Sequence, residues 1–158
     1  MLLTGFEPFD GAVANPSQAA VELVASTWSG PEVLVVEVLP VAFDRSASRI
    51  SALLAEHEPA VVIATGRAGG RAAVSLERVA ANLIDARIPD ADGAQPVDVP
   101  SLVGGTSAAF SSLPVKAIVA AIDAAGIPVE LSLSAGLYVC HHVFMHAAAW
   151  ADARDSRA

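Results

Sequence analysis

The stretch LSLSAGLYVCHHVFMHAAAW, Leu131 to Trp150, contains the only cysteine of the chain and three of its four histidines. The residues that lead into it, Val129 to Leu133, are short and apolar and predict a strand. Ser134, Ala135 and Gly136 then form a small-residue turn. From about Val139 the pattern becomes helical, with Val143, Phe144 and Ala147 on an apolar face. Cys140 therefore falls where a strand gives way to a helix. The free N–H groups and dipole of a helix start favour an anion, which predicts a lowered thiol pKa and a nucleophilic sulfur. A second reading stands beside this one, because a lone cysteine in an intracellular protein is commonly a small buried hydrophobe.

The same alternation of strand and helix runs through the rest of the chain. Leu2 to Thr4 is a stub of strand, followed by the turn-rich GFEPFDG. Asn15 before Pro16 combines a capping side chain with a proline at the first helical position. The helix it opens runs to about Trp28, with Ala20, Val21, Val24 and Trp28 at helical spacing. Val33 to Leu39 is a nearly all-apolar strand of the kind covered on both faces. Asp44 to His57 is a helix with Ile50, Leu53 and Leu54 inward, and Ala60 to Thr65 a third buried strand. GRAGGR closes it. Val74 to Ile84 alternates partly like a strand although its Ala and Leu permit helix, and strand is the expectation. Residues 86–110 form a long connection of the kind that is usually functional. Ser112 is expected to cap a helix starting near Pro114 and stopped by Gly126.

This order predicts an α/β fold, a three-layer αβα sandwich whose mostly parallel twisted sheet carries helices on both faces. Sites in such folds lie at the carboxyl ends of the strands. GFEPFDG, GRAGGR and SAGLYVC all follow strands and so share one edge.

Bulk composition narrows the function classes. The 158 residues are 54% hydrophobic and 16% charged, which suits a single domain, residues 1–158, with a real core. The net charge of −8 argues against nucleic acid and anionic membrane as partners. One cysteine excludes an internal disulfide and fits a reducing, cytoplasmic setting. MLLTGFEPFD shows neither the basic leader nor the long apolar run of a signal peptide. Residues 131–151 lack Asp, Glu, Lys and Arg, but three histidines, two serines and a glycine argue against a spanning helix. No metal site is expected, since His141, His142 and His146 have no carboxylate or second cysteine at ligand spacing.

Taken together, TGFEPFDG (Thr4–Gly11), NPS (Asn15–Ser17), GRAGGR (Gly66–Arg71), LERVAANLIDARIPD (Leu76–Asp90), QPVD (Gln95–Asp98), SSLPVKA (Ser111–Ala117) and SAGLYVCHH (Ser134–His142) resemble the pyroglutamyl peptidase I family, also called pyrrolidone-carboxylate peptidases. The resemblance runs from Leu2 to about Met145. It implies a cofactor-free cysteine peptidase that removes N-terminal pyroglutamate from peptides with a Cys–His–Glu triad. It implies Cys140 as nucleophile, Glu77 as triad acid and Arg87 as a cation favouring the thiolate. It implies a substrate pocket at Phe6, Phe9, Asn15, Arg67 and Val139, with the two phenylalanines as walls for the lactam ring and the backbone of Arg67 and Val139 for its amide. It also implies a homo-oligomer, often a tetramer.

The chemistry suits these residue types. Flat aromatic faces enclose a neutral five-membered ring, and buried ring N–H and C=O groups need partners of their own. Singly, each residue has a plainer reading: Glu77 as a solvated charge with Arg87 as its ion-pair partner, Phe6 and Phe9 as packing.

The family histidine lies about two dozen residues beyond the cysteine, in a Gly-Phe-Ile-His-like segment. The sequence reaches 158 − 140 = 18 residues past Cys140, and WADARDSRA does not resemble that segment. The expectation is therefore a C-terminally short domain without its base, with hydrolysis impaired. His142 and His146 point away from Cys140 on the helix, His141 lies to one side, and His57 is remote. Arg67, Leu133 and His141 stand where the family usually has Gln, Asn and Asn. Two rival functions follow: a non-catalytic binder of pyroglutamyl ends, and a phosphate cradle at GRAGGR, which lacks the Lys-Ser/Thr of a P-loop.

Overall fold

The computed structural model describes residues 1–155 of the chain. The elements are β1 (Leu2–Phe6), α1 (Pro16–Thr27), β2 (Val35–Leu39), α2 (Phe43–His57), β3 (Val62–Ala64), β4 (Val74–Glu77), β5 (Val79–Ala81), β6 (Ala108–Phe110), α3 (Val115–Ala124), β7 (Val129–Ser132) and α4 (Val139–Asp155). Their ladders form a three-stranded sheet in the order β2-β1-β3 and two pairs, β4-β7 and β5-β6. β1 is parallel to both neighbours and β4 is parallel to β7, with Glu77 opposite Ser132. Only β5 and β6 run antiparallel among these strands.

The layering follows from the alternation along β1. Leu2 and Phe6 point into a core built with Ile50, Leu53 and Leu54 of α2 and Val139 and Val143 of α4. Gly5 faces the other way, against α1. A methyl group there would stand 2.7 Å from the Ser17 carbonyl oxygen and 3.1 Å from Val21 Cγ2. The sheet is thus sandwiched between α1 on one face and α2 with α4 on the other.

Local chemistry accounts for the joins. Asn15 caps α1 by accepting from the Ser17 N–H at 3.0 Å, while its own amide donates to the Glu7 carbonyl. The Ser17 hydroxyl in turn accepts from the Phe6 N–H, tying the start of α1 to the end of β1. α2 stops at Glu58, whose φ of 40° is left-handed, and Arg154 of α4 donates to the Glu58 and Pro59 carbonyls there.

Several sequence expectations need correction. Of the apolar positions on α1 only Val21 is buried; Val24 is half-buried and Ala20 and Trp28 are exposed. β2 begins at Val35, leaving Val33 exposed. β3 is not a buried strand: Ile63 and Ala64 are exposed, because its outer side carries no ladder partner among the described residues. Ser112 does not cap α3, which starts after Pro114 without a side-chain cap bond. The stretch 86–110 is less irregular than its composition suggests, since it ends in β6 and holds an isolated bridge from Val99 back to Ile84.

Candidate active site

Four strand ends converge at one edge. The loops after β1, β3, β4 and β7 carry Phe6 and Phe9, Gly66 to Arg71, Glu77, and Ser134 to Cys140. Val139 and Cys140 are the first two residues of α4, so the cysteine stands where the turn gives way to helix. Val139 is fully buried in the core with Phe6.

Gly66 fixes the closest approach. A methyl group on it would lie 2.8 Å from Cys140 Sγ, 3.3 Å from Cys140 Cβ and 3.8 Å from Phe6 Cδ2. Only a residue without a side chain lets this loop lie against the sulfur and the Phe6 ring together. Phe6 itself is buried, whereas Phe9 is half-buried and packs on Tyr138 at 5.8 Å between ring centroids.

The thiol is not activated by its surroundings. Cys140 keeps partial exposure as a residue, but its sulfur is packed against protein, and burial pushes its pKa up to about 11. Its own backbone N–H pulls weakly the other way. The sequence expectation of a lowered pKa fails because desolvation outweighs the helix start.

Arg87 does not correct this. It is exposed, and its charge is felt at Tyr138, where it opposes the upward shift caused by burial, Asp90 and Asp10. It contributes nothing to the pKa of Cys140, so the thiolate-favouring role is not supported by this geometry. Nor is Arg87 the ion-pair partner of Glu77.

That partner is Arg71, a residue the sequence reading passed over. Its guanidinium donates to Glu77 Oε1 at 2.9 Å, to Ser132 Oγ at 3.2 Å and to the Ser134 carbonyl at 3.0 Å. One side chain from the loop after β3 therefore holds the ends of both β4 and β7. Glu77 Oε2 is buried and has no hydrogen-bond partner. The signal for Arg71 was its place in GRAGGR, six residues before Glu77.

The remaining candidates are placed as follows. Asn15 spends both ends of its amide on the α1 cap and on Glu7, so its side chain acts in folding rather than facing a substrate. Arg67 is exposed, directly after Gly66.

No histidine is aimed at the thiol by these contacts. His141 Nε2 donates to the Ala81 carbonyl at 2.8 Å, leaving Nδ1 buried without a partner. His142 Nδ1 pairs with the Ser101 hydroxyl at 2.7 Å, and its ring lies 4.7 Å from that of His146. His57 ends α2, beside Glu56. Among the described residues no three or more His, Cys, Asp or Glu side chains gather as a metal site, and no helix is long and apolar enough to cross a membrane.

Comparison with known proteins gives the same answer at every level. A family model described as pyroglutamyl peptidase matches residues 1–157. The pyrrolidone-carboxylate peptidase of Clavibacter michiganensis is 51% identical over 144 residues, covering 91% of this chain and 68% of that protein. The one from Erwinia tasmaniensis is 51% identical over 143 residues, covering 90% and 67%. The crystal structure of pyrrolidone carboxyl peptidase from Pyrococcus furiosus superposes with a TM-score of 0.93 at 38% identity, covering 98% of this chain and 74% of its own. That of pyroglutamyl peptidase I from Bacillus amyloliquefaciens superposes with a TM-score of 0.87 at 42% identity, covering 93% and 71%. The chain belongs to the pyroglutamyl peptidase family of cysteine peptidases.

Proposed function

We propose that this chain is a cysteine-type omega peptidase acting on peptides with N-terminal pyroglutamate, with Cys140 as nucleophile. The observation that carries the reading is the sulfur at the start of α4, packed against Gly66 beside the Phe6 ring. The lactam ring would lie against Phe6 and Phe9, with its amide on the backbone of Arg67 and Val139. Cys140 Sγ attacks the pyroglutamyl carbonyl, a thioester forms, and the C–N bond to the next residue breaks as the leaving amine takes up a proton. Water then cleaves the thioester and releases pyroglutamic acid. Helix-start N–H groups suit the oxyanion. Glu77, with one bare oxygen, suits a carboxylate that orients a base.

A second reading has its own observation. A thiol held near pKa 11, with every histidine ring engaged elsewhere or remote, supports a binder of pyroglutamyl ends that cleaves poorly. Acid–base assistance is worth about 10²–10⁴-fold in rate, so its loss would leave binding without much turnover.

Hydrolysis of a fluorogenic pyroglutamyl amide separates the two. Turnover that disappears in Cys140→Ala supports the peptidase. Tight calorimetric binding of pyroglutamyl over prolyl peptides without turnover supports the binder. Indifference to the lactam rejects both. The exposed apolar side chains of Ile63, Phe110, Ile127, Leu131 and Leu133 favour self-association in a cytoplasmic setting.

A further inference from the structure

We infer that Arg67 selects substrates bearing a carboxylate on the leaving side of the scissile bond, an acidic residue directly after pyroglutamate. The inference rests on the peptidase-site reading above and assigns a specificity to that same site.

Arg67 is pinned at both ends of its loop. Gly66, its neighbour, lies against Cys140 Sγ. Arg71, at the far end, is held by Glu77, Ser132 and Ser134. Consecutive Cα atoms are about 3.8 Å apart, so Arg67 Cα sits within roughly 8–9 Å of the sulfur, well inside the reach of an arginine side chain. The residue is exposed, so the guanidinium lies on the solvent side, where the departing peptide must extend. Among the described residues no carboxylate stands within ion-pair distance of it, whereas Arg45, Arg49 and Arg71 each hold one.

The setting makes this charge conspicuous. The molecule carries −8 overall, and the lactam is neutral, so the ring does not call for a cation. The other arginine near the mouth, Arg87, is offset: Asp90 and Asp10 act on the same Tyr138 that it does. Arg67 is therefore the guanidinium left open to a ligand. A planar fork of donors matches a carboxylate better than any other common peptide group.

Calorimetry on Cys140→Ala, which cannot turn substrate over, tests the inference with four peptides: pyroglutamyl-Glu amide, pyroglutamyl-Gln amide, pyroglutamyl-Ala amide and pyroglutamyl-Ala with a free carboxylate. An exposed ion pair is worth up to about 1 kcal/mol, so the Glu amide should bind about three- to fivefold tighter than the Gln amide. That preference should shrink at high salt. It should vanish in Arg67→Gln and survive in Arg67→Lys. A preference for the free carboxylate over its amide would assign the same cation to the peptide terminus and also supports Arg67. Equal binding of all four, or a preference unchanged in Arg67→Gln, overturns the inference while leaving the lactam site intact. Failure of every pyroglutamyl peptide to bind removes the site reading and the specificity together.

Discussion

Cys140 and Arg71 set the chemistry at the scale of single residues. With its pKa near 11, the thiol is almost wholly protonated at neutral pH, on the order of one thiolate in ten thousand. Alkylation of Cys140 by iodoacetamide should therefore keep accelerating about tenfold per pH unit beyond pH 9; a plateau near pH 8 would mean the sulfur is better solvated than its packing implies. Arg71 makes a different kind of contribution. Removing it in Arg71→Ala strips Glu77 Oε1 of its donor and frees Ser132 and Ser134. The expected cost is about 1–2 kcal/mol in urea unfolding, with partial recovery in Arg71→Lys. The position of Cys140 was legible because Ser134 to Gly136 breaks the strand and apolar periodicity restarts at Val139. Its protonation was not, since burial by a distant glycine loop leaves no local mark. The Glu77 partner was hidden for the same reason: Arg71 and Arg87 are equally plausible by spacing, and only the parallel pairing of β4 with β7 selects one.

Helices and strands impose their own tests. α1 crosses β1 at Gly5 with no room for a methyl group, the nearest atom being backbone. Gly5→Ala should cost about 1–3 kcal/mol, read as a lowered thermal midpoint, and a neutral result would mean α1 can slide. α4 carries a pH response. Burial, then His146 and His141, hold His142 down to about 4, well below its ordinary 6.5. A histidine depressed in the folded state stabilises fully above its unfolded pKa, and that stability is lost as pH falls through the folded value. Thermal midpoints should thus decline between about pH 6.5 and 4 as the Ser101 pairing fails, and the slope should flatten in His142→Gln. An unchanged slope would exonerate His142. At this scale the sequence served well where the period was long, as in α2, whose Ile50, Leu53 and Leu54 are all buried. It served poorly for Ala108–Phe110, where three residues carry no period and only the antiparallel partner β5 makes them a strand.

The molecule as a whole is held together unevenly. Its layered α/β order was readable because each βα switch has its own breaker, Pro16, Pro59 or Gly126. The division of the strands into three separate ladders was not, since pairing across long loops depends on which backbone edges meet. That division has a consequence for slow motion. With no backbone bond joining the β2-β1-β3 ladder to β4-β7 among the described residues, the two should breathe as separate units. Deuterium uptake should show amides of Val74 to Glu77 and Val129 to Ser132 exchanging together, ahead of those in β1, and uniform protection would mean a single cooperative body. Since the thiol sits on one unit's glycine loop and the carboxylate on the other, each such opening would momentarily pull nucleophile and acid apart.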